Sequence, residues 1–217
     1  MNILAIGSHP DDIEYGCGGT LIKFNQAGHN VFLFLATDGR LGGVPEERRR
    51  EQLRSGRIMG TQRIFWGEYE DTRVPVAPET IERIERVIRD IKPQYLFVHF
   101  PDDTHQDHRA ISKCALSAGR YVPNFLFYEG PTTQNFNPTI FVDIKEVLEA
   151  KIELLRAHAS QVSRTNIVDL TILESAKSNV NFRGIQGRVK YAEAFVSQRM
   201  LIDIPNNGNH STLTTLA

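Results

Sequence analysis

Apolar and polar positions along this chain fall into blocks of two periods. Residues 2–8 and 30–37 are nearly unbroken apolar runs (Ile3-Leu4-Ala5-Ile6 and Val31-Phe32-Leu33-Phe34-Leu35), the pattern of strands buried on both faces. Residues 63–66, 95–99, 125–128 and 139–144 are shorter runs of the same kind. Between them the period changes. Residues 78–91 place Ile or Val at 81, 84, 87, 88 and 91, an amphipathic helical stripe that Pro93 closes. Residues 45–59 predict a charged helix opened by Pro45 and Glu46. Further helices are expected over 18–27, 107–118, 145–158, 169–178 and 186–197, a last strand over 199–204, and a poorly ordered polar tail over 206–217. The alternation predicts one α/β domain over residues 1–217, with a mainly parallel sheet covered by helices on both faces.

Composition narrows the classes of function. The chain has 217 residues, 41% hydrophobic and 24% charged, with a formal net charge of -1. A nucleic-acid or membrane surface usually needs a basic excess, so neither partner is expected. Cys17 and Cys114, the two cysteines, form no metal motif or disulfide framework, as suits a reducing cytoplasm. The first apolar run is too short for a signal peptide and lacks a basic flank, so a cytoplasmic location is expected.

Chemistry concentrates at two strand ends. His9-Pro10-Asp11-Asp12 follows the first run, and Asp102-Asp103-Thr104-His105-Gln106-Asp107-His108-Arg109 follows the run at 95–99. Open α/β sheets bind ligands at the carboxyl ends of their strands, so the fold should bring the clusters together. A catalytic zinc takes three protein ligands from His, Asp or Glu and keeps a position for water. His9, Asp12 and His108 supply such a set, and several divalent metals suit it. Asp11 is left beside the metal to accept a proton from water. His105 could stabilise an oxyanion or protonate a leaving amine, and Asp107 could orient an imidazole. His99 reads as a structural core residue. Each cluster also suits a solvated turn with carboxylates capping a helix, but two histidines in the second loop fit that less well. Gly16-Cys17-Gly18-Gly19, with Asp38 beyond, imitates a dinucleotide fingerprint. Leu21 holds the last glycine's position, however, and a pyrophosphate would face Asp11 and Asp12.

The chain resembles the LmbE-like, or PIG-L, family of zinc-dependent N-acetylglucosaminyl deacetylases. The residues that carry this run from Ala5 to Glu14, then Gly18-Gly19-Thr20, Thr37-Asp38-Gly39, Arg48-Arg49-Arg50-Glu51 and Thr104 to Arg109. Ala157 to Gln161, Arg183-Gly184 and Tyr191 to Phe195 complete the set. The resemblance implies a Rossmann-like three-layer α/β/α fold and removal of acetate from an N-acetylated amino sugar. It makes His9, Asp12 and His108 the zinc ligands, Asp11 the general base, and His105 the acid or oxyanion stabiliser with Asp107 in support. It also implies substrate contacts from Arg48, Asp71 and Tyr191, and a homo-oligomer, a hexamer or trimer. Two positions depart from the family pattern: Gln106 stands where a proline is usual, and Asp103 where some members carry a mobile tyrosine. The alternative function is a Rossmann-like sugar- or nucleotide-binding protein with a metal site and no chemistry.

Overall fold

The computed structural model describes residues 1–202; the tail expected to be poorly ordered lies outside them. Strands β1 (Asn2–Gly7), β2 (Asn30–Leu35), β3 (Arg63–Trp66), β4 (Tyr95–His99), β5 (Asn124–Tyr128), β6 (Ile140–Asp143) and β7 (Ala192–Arg199) form one sheet in the order β3-β2-β1-β4-β5-β7-β6. The first five pair in parallel, and β7 runs antiparallel to both β5 and β6. Helices α1 (Asp12–Gln26), α2 (Pro45–Met59), α5 (Leu148–Arg156) and α6 (Ile172–Gly187) cover one face, and α3 (Pro78–Ile91) and α4 (Gln106–Ala118) the other. The β1 side chains alternate between the two cores: Ile3 and Ala5 join the first, Leu4 and Ile6 the second. The α3 stripe does as its period predicts, with Ile84, Val87 and Ile91 buried. Among the described residues no helix is long and apolar enough to cross a membrane.

Three expectations are corrected. The helix expected from residue 18 begins at Asp12, so all the glycines that look like a loop are helical. They permit close packing: a Cβ on Gly16 would lie 2.1 Å from the Tyr128 ring, and one on Gly18 2.9 Å from Leu154. The helix expected over residues 186–197 is not formed: α6 ends at Gly187. Residues 192–199 form β7, whose backbone groups bond β5 on one side and β6 on the other; this pairing overrides the four-residue spacing of Tyr191 and Phe195. The strand placed at 199–204 therefore ends where it was expected to begin, and the helix before it is α6. Its N-terminus is a capping box in which the Thr171 hydroxyl accepts from Glu174 N and the Glu174 carboxylate accepts from Thr171 N.

Sheet order locates the ligand edge. The chain leaves β1 toward β2 on one side and reaches β4 on the other, so the direction of winding switches between β1 and β4. His9 follows β1, and His105 and His108 follow β4, at the carboxyl ends on either side of that switch.

Candidate metal centre and active site

The turn from β1 into α1 is fixed by its own carboxylate. Asp12 Oδ2 accepts from the amides of Ser8 (3.1 Å) and His9 (2.7 Å), which aims Asp12 and the His9 ring at one point. Asp12 Oδ2 lies 3.3 Å from His9 Nδ1, and Asp12 Oδ1 lies 3.4 Å from His108 Nε2. One nitrogen each of His9, His105 and His108 lie within 4.8 Å of one another. The residues expected as ligands therefore converge, with His9 and His108 buried.

The far nitrogens of both rings face carboxylates. His9 Nε2 lies 3.1 Å from Asp71 Oδ1 and 3.2 Å from Asp107 Oδ2; His108 Nδ1 lies 3.2 Å from Asp103 Oδ2. Metal-binding histidines are oriented in this way, one nitrogen toward the ion and the other toward a carboxylate. Asp107 is itself held by the amides of Thr72 (2.7 Å) and Val74 (3.2 Å). Asp103 accepts from His105 N and from the hydroxyls of Thr132 and Thr133. The donor set and its supports fit a divalent cation. Two other groups of possible ligands overlap this one: Asp12, His99 and His108, and His9, Asp71 and Asp107.

His99 and Asp103 are the residues that sequence reasoning missed. His99 is fully buried at the end of β4, with Nε2 3.1 Å from Asp12 Oδ2 and its ring stacked on His108 at 3.9 Å. It supports the centre rather than only the core. Its position at a strand's carboxyl end is the signal already used for His9. Asp103 stands out in the sequence only as a departure from a family tyrosine; its partner His108 lies across the start of α4.

The charges follow from this packing. Burial disfavours the His108 cation, yet Asp12 and Asp103 outweigh it and raise the ring to about 9. His9 is raised well above its ordinary value against the same burial, by Asp107, Asp12 and Asp71. Burial, then the His108 charge, lowers His99 to about 4. Burial would raise Asp12 and Asp103, but their histidine partners hold both well below the usual carboxylate range.

Asp11 sits apart from these pairs. Its backbone has φ 99°, in the left-handed region that few non-glycine residues occupy, the kind of strain that collects at functional sites. Arg48, buried on α2, holds it there by donating to Pro10 O (2.6 Å), Gly39 O (3.0 Å) and Asp11 Oδ2 (3.2 Å). A Cβ on Gly39 or Gly42 would come within 2.5 Å of that guanidinium, so the loop after β2 is shaped around Arg48. Burial raises Asp11 to about 6, against the lowering by Arg48, close to the working range of a general base. His105 Nδ1 accepts from Asp107 N at 3.2 Å. The neutral ring therefore carries its proton on Nε2, and burial followed by the His9 and His108 charges keeps it neutral by lowering its pKa.

A cavity of about 710 Å³ opens over these groups, lined among others by His9, Asp11, Asp12, Arg48, Asp71, His105 and His108. Tyr191 is not part of this wall; it packs against the first core beneath Lys190. Asp107 lies behind His9, outside the lining.

The model of the PIG-L family, described as GlcNAc-PI de-N-acetylase, matches residues 4–119, which include both clusters. The chain is 33% identical over 167 residues to the uncharacterized deacetylase YaiS of Escherichia coli K12, covering 73% of this chain and 90% of that one. It is 31% identical over 185 residues to the diacetylchitobiose deacetylase of Thermococcus kodakarensis, covering 73% and 69%. The conserved protein TT1542 of Thermus thermophilus superposes with a TM-score of 0.82 at 28% identity, over 95% of this chain and 99% of that one. With the family model spanning more than half of its residues and deacetylases among its relatives, the chain belongs to the PIG-L/LmbE-like family.

Proposed function

We propose that this protein is a metal-dependent hydrolase that removes the N-acetyl group from an N-acetylglucosamine-type amino sugar or its conjugate. The observation that carries the reading is the convergence of His9, Asp12 and His108 beside a carboxylate, Asp11, that none of the three needs. Zinc is the ion proposed for that set. Bound there, it would supply Lewis acidity, polarising the amide carbonyl and bringing the pKa of water toward ~7.

The rest falls to the chain's own residues. Asp11 takes a proton from the attacking water and holds it for the departing amine. His105 Nε2–H points its donor at the carbonyl oxygen as charge develops there. Asp107 and Asp103 keep the His9 and His108 rings in the required tautomers. Arg48 acts first as the clamp on Asp11. Asp71, which also accepts from Leu41 N (2.9 Å), faces the cavity, where it can receive a sugar hydroxyl.

The test is acetate release from N-acetylglucosamine, its O-malate glycoside and diacetylchitobiose, using protein stripped of metal and then refilled with one equivalent of zinc. Release that appears only on refilling is the expected result. Zinc bound at one equivalent with no acetate from any of the three would overturn the reading in favour of a binding protein.

A further inference from the structure

The metal-side floor of the cavity is charged, whereas its outer wall sets aliphatic side chains beside Arg164 and neutral polar groups. Leu41 is 69% exposed, Val44 56%, Ile167 61% and Val168 88%. Single exposed aliphatic residues need no explanation. These four sit on two loops joined at one atom: Gly42 O accepts from both Gln161 Nε2 and the Arg164 guanidinium. Leu41 and Ile167 also line the cavity, together with Leu170 and Ile172. The aliphatic surface thus continues from the inner wall to the solvent. The cavity, at about 710 Å³, has the volume of a drug-sized ligand, more room than one sugar ring fills.

We infer that this surface is a subsite for an apolar aglycone: the substrate presents its N-acetyl group to the floor and an aliphatic or aryl substituent to Leu41, Ile167 and the mouth. The inference rests on the proposed deacetylase reading. Its occupant follows from continuity with the cavity, because Leu41 and Ile167 belong both to the exposed surface and to the wall that Leu170 and Ile172 extend inward. Thr165, Asn166, Ser175 and Asn179 line the cavity beside them and can hydrogen-bond the sugar itself.

The experiment compares methyl, butyl and octyl β-glycosides of N-acetylglucosamine below their micellar concentrations, using zinc-loaded protein. A methylene taken fully out of water is worth about fourfold, and an open mouth covers only part of a chain, so kcat/KM for the octyl glycoside should exceed that for the methyl by roughly tenfold or more. Leu41→Ser combined with Ile167→Ser, the two exposed aliphatic residues that line the cavity, should bring the ratio toward one. A second measurement is calorimetric binding of the deacetylated products, octyl and methyl glucosaminide, which does not depend on turnover. Equal kcat/KM across the series, or a ratio that the two substitutions leave unchanged, overturns the subsite while the deacetylase reading stands. If no alkyl glycoside is turned over, acetate release from the three substrates named above decides the deacetylase reading, and binding decides the subsite: tighter binding of octyl glucosaminide, reduced by the substitutions, supports it, and equal binding overturns it.

Discussion

Two buried polar clusters hang on α1, built from similar residue types, and they differ in how their charges are balanced. Beneath the helix, Lys151 Nζ donates to Glu193 Oε1 (2.5 Å) and to the carbonyls of Glu14 and Tyr15, while Glu193 also accepts from the amides of Gly19 and Thr20. One cation meets one carboxylate, and hydrogen bonds take up the rest. At the helix's N-terminal end five carboxylates, Asp11, Asp12, Asp71, Asp103 and Asp107, surround His9 and His108. Among the described residues Arg48 is the one guanidinium bonded to any of them. Unpaired buried charge is costly. The first cluster is complete as it stands, whereas the second has an excess of negative charge that protons on His9 and His108, or a divalent cation, would offset in part. Burial of charge does not by itself mark a site; an uncompensated balance facing a cavity does.

The largest effect is expected where the open cluster meets the cavity. Asp11→Asn keeps the shape and the Arg48 contact but removes the base. It should lower kcat by about 10²–10⁴ while zinc content, measured by atomic emission, stays at one per chain. A metal-replete Asn variant with undiminished turnover would remove Asp11 from the chemistry. Loss of zinc together with activity would instead make Asp11 part of the metal centre.

The closed cluster should answer in a different quantity. Lys151→Met leaves the buried Glu193 carboxylate with the Gly19 and Thr20 amides but no counter-charge, and breaking a buried pair from one side costs about 3–5 kcal/mol. Denaturant unfolding should show that loss, and Lys151→Met combined with Glu193→Gln should recover part of it. Zinc stoichiometry should be unchanged in both. A Lys151 variant as stable as the parent would mean that the pair is not the anchor of α1 that its geometry suggests.

How much of this was legible in the sequence depended on how local each signal was. His9, Asp11, Asp12, His105, Asp107 and His108 lie in two short stretches, each following a strand, so residue type and strand end together pointed to them. Strands and helices with a clean period, such as β4 and α3, were equally readable. Arg48 and Asp71 have no local signature; Arg48 stands among charged neighbours on α2, and only the family resemblance singled it out. His99 was legible by position but was read as core because its partners, Asp12 and His108, come from other elements. The glycines of α1 and the strand β7 were misread for one reason: Tyr128, Leu154 and the β5 and β6 backbones decide them, and all lie far away in the chain. Tyr191 as a substrate contact came from resemblance alone, and its partly buried ring packs against the first core rather than lining the cavity.

The smallest predicted effect concerns a residue that touches no substrate. Asp103 faces His108 Nδ1 at 3.2 Å and, after Asp12, helps to raise that ring to about 9 in the ion-free protein. An ion needs the lone pair that the proton occupies. Both raised histidines, His9 and His108, therefore oppose metal while protonated, and apparent affinity should climb with pH, tenfold per unit for each proton displaced, then level off once both rings are neutral. Asp103→Asn weakens support for the imidazolium, so the levelling point should move to lower pH. The same change makes His108 a poorer ligand, and loss of such a supporting carboxylate typically lowers plateau affinity by about 10–100-fold. Zinc titrations against a chromophoric chelator between pH 6 and about 10, the range that brackets the raised histidine, separate the two effects. A variant with the same plateau and the same levelling point would show that Asp103 serves only Thr132, Thr133 and the His105 amide. The open cluster would then rest on Asp12, Asp71 and Asp107 alone.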